Sequence, residues 1–569
     1  MFSKRPVLVE IVTAAVLVAV PFVLPLVDAA PNTVNRILVW GLFGIGFDIL
    51  FGYTGLLSFG QSAFYGTGGF IAAYLLTRAG FPHVVTALVI GMVAAAAVGW
   101  LIGLLALRRT GIYFAMITVA IAEIFFFVGI VIALRVVRSP VGVILTAIRE
   151  NPLRAAAVGH NVQAYKLTAF VIAAAYAGFA GGLLGVLQGF MPPDAFMFDT
   201  SGQLIMQTAI GGRGTLFGPL VGAAVWLFLQ DFLQATLKLG ATWKLVLGLV
   251  FVLLVCFLRQ GIIGGIRDLI ALVSGKAKPA AELADEAAPV AAAAPAAAPI
   301  APMASRHAVP SGRSGPLLQA RALTKRYGGV VANQDIDFAV APGELRGIIG
   351  PNGAGKTTFF KMLTCEVPPT SGTIVFEGRD ITGMRITDVC QLGLTKSYQV
   401  NQLFNRLTVR ENVTIAALAE LRGKFKLDLF GRLAKIPGLA EQVEHTLQLV
   451  NLTARRDTPV SQLAYGEKRR LEIGLALASS PSLLLLDEPL AGMSPRERVE
   501  TVRLLKSIAQ GRTMIVIDHD MDALFELAGR ITVLQEGRVL VEGTPDEIKG
   551  NAAVQDAYLG GVHEEELAT

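Results

Sequence analysis

Charge is scarce in this chain: Asp, Glu, Lys and Arg make up 16% of 569 residues, against about 25% in an ordinary soluble domain. A wholly soluble protein is thereby excluded, and with 53% hydrophobic residues part of the chain is expected to lie in lipid. Cysteine is scarcer still. Cys256, Cys365 and Cys390 are odd in number and widely spaced, so they show neither a disulfide framework nor a metal-ligand pattern, and they read as packing residues of a reducing compartment. The net charge of +6 is no nucleic-acid footprint, because Lys4, Arg5, Arg108, Arg109, Arg259 and Arg267 sit beside apolar runs, the placement that orients membrane helices. No nucleic-acid partner is expected; a lipid membrane is.

What charge there is falls unevenly. Before about residue 275 apolar runs dominate, and after about 316 the charge density, turn residues and alternating patterns are those of a soluble α/β domain. A chain of this length has room for a core in each half. Runs near 20 apolar residues, enough to cross about 30 Å of hydrocarbon, lie at roughly 7–28, 37–57, 59–78, 84–107, 112–134, 165–190, 216–235 and 243–258. Residues 1–30 also admit a reading as a signal peptide, but the apolar core exceeds the usual 7–15 residues, and an uncleaved first span is the expectation. Small residues at 66–69 and 178–185 allow close backbone approach, which plain helix packing explains.

Ile210-Gly211-Gly212-Arg213-Gly214-Thr215 interrupts apolar sequence, and Arg213 favours a cytoplasmic break between a short crossing at 197–211 and the next helix. Four crossings between 165 and 258 result, with both ends cytoplasmic. The earlier stretch is less regular. Five crossings counted from Lys4 and Arg5 would put 135–166 outside, although Arg135, Arg138, Arg149, Arg154 and Lys166 argue for inside. One crossing is therefore missing, re-entrant or miscounted, with Glu123 a candidate marker of the irregular element. Residues 276–316 are an Ala/Pro-rich linker without helical amphipathicity.

In the soluble half, Gly350-Pro351-Asn352-Gly353-Ala354-Gly355-Lys356-Thr357 fits the loop in which glycines let backbone N–H groups converge on phosphates at a helix N-terminus. Lys356 would neutralise the β and γ phosphates and Thr357 would hold Mg²⁺. The strand-like run 345–349 precedes the loop, and a helical pattern opening at Thr358 follows it. Downstream, Leu483-Leu484-Leu485-Leu486 reads as a buried strand delivering Asp487 and Glu488. Asp487 is suited to orient Mg²⁺ and its water, and Glu488 to polarise the attacking water. A third apolar run, 514–517, ends in Asp518-His519; a lone histidine is usually structural, but one in this position could contact the γ-phosphate.

In this order the motifs resemble the ATPase of ABC transporters over nearly all of 317–562. The resemblance implies that Tyr327 stacks on adenine, that Gln399 is the Q-loop residue beside the phosphates and the metal, and that Leu463-Ala464-Tyr465-Gly466-Glu467 is the signature. Individually, Tyr327 could be a surface aromatic and Gln399 a solvated polar residue. The signature departs from Leu-Ser-Gly-Gly-Gln, since Ala464 lacks the serine hydroxyl offered to a partner's γ-phosphate. Leu-Ala-Tyr-Gly followed by Arg469-Arg470-Leu471-Glu472-Ile473 resembles the LivG-type ATPases of branched-chain amino acid importers, as do Gly328-Gly329, 491–495 and 557–560.

The words Gly55-Leu56-Leu57-Ser58-Phe59-Gly60-Gln61, Ala147-Ile148-Arg149-Glu150-Asn151-Pro152, 166–170 and 211–219 resemble the LivM-type permease of the same importers over most of 35–265. An extra span between the equivalents of Phe127 and Arg135 is expected of that family and is missing here. The resemblance implies a polytopic all-α membrane domain (1–275), the linker (276–316), an α/β P-loop ATPase domain (317–562) and a tail (563–569). It also implies a cytoplasmic coupling segment at 140–160, where the bland alternative is a basic loop, and alternating access driven by two ATPase domains. ATP and Mg²⁺ are the implied cofactors. A LivH-like permease, a LivF-like ATPase and a periplasmic substrate-binding protein are the implied partners at the bacterial inner membrane, with a homodimer as the alternative. Urea, short amides or aromatic acids are the alternative substrates. A half-size exporter predicts long charged cytoplasmic helix extensions, and a non-transporting ATP-driven regulator predicts a small bundle with a large extracytoplasmic domain; none of these is found between the apolar runs.

Overall fold

A computed structural model of the protein describes residues 31–54, 61–77, 83–106, 122–188, 195, 197–237, 240–258, 260–273, 315–398, 402–509 and 512–557. The expected first span at 7–28, nearly all of the linker and the tail lie outside the described residues. Two compact units are built from the chain. Met1–Arg149, Gln163–Leu283 and Leu427–Gly431 form the first, and Glu150–Val162, Ala284–Lys426 and Arg432–Thr569 the second.

In the first unit every expected apolar run that falls among the described residues is helical, the form in which a chain in lipid satisfies its own backbone. The helices are α1 (Pro31–Thr54), α2 (Gln61–Thr77), α3 (Val84–Ala106), α4 (Ala122–Val137) and α5 (Pro140–Glu150). After α6 (Pro152–Ala157), which folds with the second unit, come α7 (Val162–Gln188), α8 (Phe198–Gly211), α9 (Gly218–Asp231), α10 (Trp243–Phe257) and α11 (Gly261–Val273). Arg36–Thr54, Val84–Leu101 and Val162–Leu184 are each long and apolar enough to cross a membrane. Gly129–Val137 and Pro140–Glu150 meet such a test only as a pair, bent by 67°. The bend has a local cause. Pro140 has no N–H to continue the ladder, and Ser139 caps both sides, its Oγ donating to Val136 O (2.6 Å) and accepting from Gly142 N–H (3.3 Å). This break lies in the stretch where the charge count is irregular; residues 107–121 of that stretch and the side chain of Glu123 lie outside the described residues.

Glycines set the helix spacing in this unit. A Cβ on Gly68 would stand 2.1 Å from Gly178 O, and one on Gly222 would stand 1.7 Å from Gln207 O, so α2 against α7 and α9 against α8 pack backbone to backbone. The expected break at 210–215 is the non-helical turn 212–217 between α8 and α9, each 14 residues long. Asp48 of α1 holds it, accepting from Gly214 N–H (2.7 Å) and Leu216 N–H (3.1 Å).

The second unit is α/β. β1 (Leu318–Tyr327), β2 (Val330–Val340), β4 (Ser371–Phe376) and β5 (Arg379–Asp380) form an antiparallel sheet in the order β2-β1-β4-β5. A six-stranded sheet runs β10-β9-β3-β8-β7-β6, from β3 (Leu345–Ile349), β6 (Leu394–Lys396), β7 (Leu483–Asp487), β8 (Thr513–Ile517), β9 (Arg530–Gln535) and β10 (Arg538–Gly543). β7, β8, β3 and β9 pair in parallel, with Asp487 opposite Ile517 and Gly347 opposite both Val516 and Ile531. Buried on both faces, β7 and β8 are continuous apolar runs, as central parallel strands are. Between the sheets lies one apolar core, which includes Phe338, Phe359, Phe360, Ile374, Leu485 and Ile515. Parallel pairing places the carboxyl ends of β3, β7 and β8 along one edge, where such sheets bind ligands.

Candidate ATP site

Three strand ends build the site. After β3 the chain turns through 350–355 into helix α12 (Lys356–Leu363). The turn needs glycine. Gly350 (φ +156°) and Gly355 (φ +86°) lie in left-handed backbone, and a Cβ on either would meet a carbonyl oxygen, Leu534 O at 2.2 Å or Ala332 O at 2.4 Å. Gly353 (φ +82°) faces open space. Asn352 and Gly353 are exposed, Pro351 and Gly355 half-buried and Ala354 buried, so the loop rim is open while its base is anchored. Lys356 folds over this rim, its Nζ donating to Gly350 O (2.6 Å) and Pro351 O (2.9 Å). Burial holds its ammonium below the usual lysine range, opposed by the nearby charge of Glu488. Thr357 is exposed and Thr358 half-buried on the first turn of α12, whose free N–H groups favour an anion.

β7 delivers the carboxylates. Asp487 lies 3.7 Å from Lys396 Nζ, which also pairs with Glu366 (3.3 Å). Burial pushes the Asp487 carboxyl above its usual range, with Lys396 pulling it back and Glu488 adding to the rise. Glu488 adopts φ 49°, its N–H bonded to Ile517 O at 2.7 Å; a non-glycine residue in left-handed backbone is the kind of strain that aims a functional side chain. From the end of β8, His519 Nε2 reaches Glu488 Oε1 at 3.1 Å. Asp518 below it accepts from Leu490 N–H (2.9 Å) and Asp520 N–H (3.1 Å), fixing the two turns together. His519 and Asp518 line an open cleft of about 420 Å³ with Leu490, Gly492 and Arg498.

The remaining expected residues are placed differently. Tyr327, at the end of β1, is 48% exposed; its hairpin partner β2 touches the phosphate loop, Asn333 Nδ2 donating to Gly355 O at 3.3 Å. Gln399 lies outside the described residues. Helix α13 (Tyr465–Leu477) opens at the expected signature. Ala464 offers no side-chain acceptor there, and only half of a reciprocal cap forms: Glu467 accepts from Ala464 N–H at 3.0 Å and pairs with Arg455 at 3.1 Å. Leu463 is buried, Tyr465 is 49% exposed and Gly466 lies against Glu497. Among the described residues no hydrogen bond or ion pair joins 463–467 to the phosphate loop, whereas Glu488 lies near Lys356 and is bonded to His519.

The donor set fits a magnesium nucleotide. Left-handed glycines open a main-chain cradle, a buried lysine faces into it, and a threonine hydroxyl and a carboxylate suit a hard cation that prefers oxygen. Sequence reasoning alone misses Arg154, Arg469 and Glu472, which form a buried charge cluster. Their only sequence signal is a carboxylate at 472 within the otherwise apolar 471–478.

Comparison with known proteins agrees with these features. The family model for the ABC transporter matches residues 333–491, and that for the permease component of the branched-chain amino acid transport system matches 30–130 and 121–255. A model for the branched-chain amino acid ATP-binding cassette transporter matches 538–564. The chain is 36% identical over 256 residues to the high-affinity branched-chain amino acid transport ATP-binding protein LivG of Escherichia coli, covering 43% of this chain and 99% of that one. It is likewise 36% identical over 252 residues to BraF, the protein of the same description in Pseudomonas aeruginosa, with the same coverage. The lipopolysaccharide export system ATP-binding protein LptB of Acidithiobacillus ferridurans is 38% identical over 245 residues, 43% of this chain and 97% of that one.

Proposed function

The chain belongs to the branched-chain amino acid family of ABC transporters, joining a permease component and an ATP-binding cassette in one polypeptide, and we propose that it imports branched-chain, hydrophobic amino acids across the bacterial inner membrane. The observation that carries this is the permease match over 30–255 in the same chain as the cassette. Cassette likeness alone would not choose a cargo, because LptB is as similar as LivG. We divide the chain into a permease domain (1–275), a linker (276–316), a cytoplasmic ATPase domain (317–562) and a tail (563–569).

In this reading ATP is hydrolysed at the edge formed by β3, β7 and β8. Main-chain N–H groups of 350–357 and the Lys356 ammonium bind the phosphates, with Thr358 on the same helix turn. Thr357, Asp487 and Gln399 would hold Mg²⁺, which would supply charge neutralisation at the phosphates. Glu488 accepts the proton of the attacking water, and His519, bonded to it, keeps that carboxylate aimed. Tyr327 stacks on the adenine. The signature 463–467, which makes no hydrogen bond or ion pair to its own loop among the described residues, serves a second cassette in this reading, and a LivF-like ATPase, a LivH-like permease and a periplasmic binding protein complete the assembly; a homodimer of this chain is the alternative.

The test is uptake of labelled leucine, with urea as comparator, in cells lacking this chain and complemented by wild type or by Glu488→Gln. Leucine uptake restored by wild type alone supports the proposal. Restoration of urea uptake alone keeps the ATP-driven mechanism and overturns the cargo, and loss of neither overturns the importer reading.

A further inference from the structure

Residues 150–162 interrupt the sequence of the first unit and fold as part of the second. They are held along their length. Asn151 caps α6, its Oδ1 accepting Arg154 N–H at 3.0 Å while its Nδ2 donates to Gln402 Oε1 at 2.8 Å. Thr387 Oγ1 donates to Ala156 O (3.2 Å), Gln391 Nε2 to Gly159 O (3.2 Å) and Asn161 N–H to Lys424 O (2.7 Å). These hydrogen bonds are main-chain or neutral, beside a long ion pair of Glu150 with Arg406 at 4.0 Å.

Arg154 is different. It is 1% exposed, and its guanidinium stands 3.3 Å from Glu472 Oε1 and 5.0 Å above the Tyr398 ring. Glu472, on α13, is wholly buried, and its other oxygen is 3.5 Å from Arg469 Nη1. Arg469 in turn donates from Nη1 to Tyr398 O at 2.8 Å and from Nη2 to the main-chain carbonyls of Asp487 and Glu488. A run of charged contacts thus leads from the segment, through one shared carboxylate, to the backbone that carries both carboxylates of the ATP site. Removing one member of a buried ionic group leaves the others uncompensated, so such a group responds as a unit. Burial pushes the Glu472 carboxyl up to about 7, and Arg154 is the largest influence holding it down, ahead of Arg469, the Tyr398 N–H and Lys396.

The geometry points to Arg154 as a positioning residue for ATP hydrolysis: seated on Glu472, it fixes through Arg469 the main chain of Asp487 and Glu488, so that its loss slows turnover without weakening ATP binding. This rests on the ATPase reading above and adds residues to it. An ion pair that merely holds the segment would behave like any other of its contacts, and Thr387 supplies that comparison.

The test is steady-state ATP hydrolysis by the full chain, purified with its partners, in wild type, Arg154→Met, Glu472→Gln, their double variant, Arg154→Lys and Thr387→Ala. Expected are a fall in kcat of about ten- to hundredfold in each single variant of the pair, as for misplaced catalytic groups, with KM for ATP unchanged. The double variant should be no slower than either single, Arg154→Lys partly restored, and Thr387→Ala within about twofold of wild type. Unchanged kcat in Arg154→Met, additive losses in the double variant, or an equal loss in Thr387→Ala would overturn the inference. Glu488→Gln separates the two readings. If wild type hydrolyses ATP and Glu488→Gln does not, a failure with Arg154→Met concerns the inference alone; if wild type does not hydrolyse ATP, the ATPase reading fails and the inference with it.

Discussion

Among single residues, the outcome turns on what burial does to charge. Glu488 is half-exposed, aimed by left-handed backbone and bonded to His519. Glu488→Gln should therefore lower ATP turnover by at least about a hundredfold, the scale of a lost general base, while nucleotide affinity, read by equilibrium binding, stays within about twofold. His160 makes the opposite case. Burial lowers its pKa to about 4, against the rise that its bond to Ile415 O would cause, and Nε2 stands 2.8 Å from that oxygen. The released segment takes up a proton near the ordinary value of about 6.5, so between 6.5 and 4 the open form binds more protons than the docked one. The His160 contribution to docking is then complete above that window and is lost as pH falls through it, while Glu472, raised to about 7, titrates over part of the same range with the opposite sign. The His160 part is therefore read as a difference: between neutral pH and pH 5, the opening free energy of 150–162 from hydrogen exchange should fall by roughly 2 kcal/mol more in wild type than in His160→Gln. The carboxylates proposed for the ATP site are legible from sequence because a leucine run ending in Asp487-Glu488 carries its own context. The partner of Arg154 is not, since pairing between residues so distant in sequence has no local pattern, and a basic residue beside a membrane run reads first as an orientation signal.

At the level of helices and strands, apolar length identifies the elements, and breaks in hydrogen bonding set their ends. The long spans and the strand-loop-helix around Lys356 follow from run length, periodicity and glycine. The 67° bend before α5 does not, because one Ser-Pro pair inside apolar sequence is compatible with either a kink or a continuous helix. Asn151 and Pro152 likewise divide a stretch that reads as one coupling segment at 140–160: Pro140–Arg149 folds with the first unit and 150–162 with the second. Close packing of α2 on α7 leaves no room for a side chain. Gly68→Leu would drive its Cβ to 2.1 Å from a backbone oxygen, a clash that no rotamer relieves, and should cost more than about 3 kcal/mol, seen as loss of monodisperse protein in detergent. Gly202→Ala, with nothing within 4 Å of its Cβ, should be neutral or stabilising by up to about 1 kcal/mol.

For the whole molecule, two solvents explain the composition. An apolar helical unit and an α/β cassette share one chain, and the charge step near 275 to 316 marks the change between them. Which residues outside the cassette fold with it is the part that composition could not reveal, because 150–162 has neither a linker's composition nor a core's periodicity. The proposed activity is ATP-driven inward transport of a branched-chain amino acid. Its most direct test is labelled leucine movement in proteoliposomes holding the purified complex with its binding protein outside and ATP within. Accumulation above the external concentration, abolished by Glu488→Gln, is the predicted result. Leucine entry that only equilibrates or that persists in Glu488→Gln, or leucine efflux from loaded vesicles, would rule out ATP-driven import.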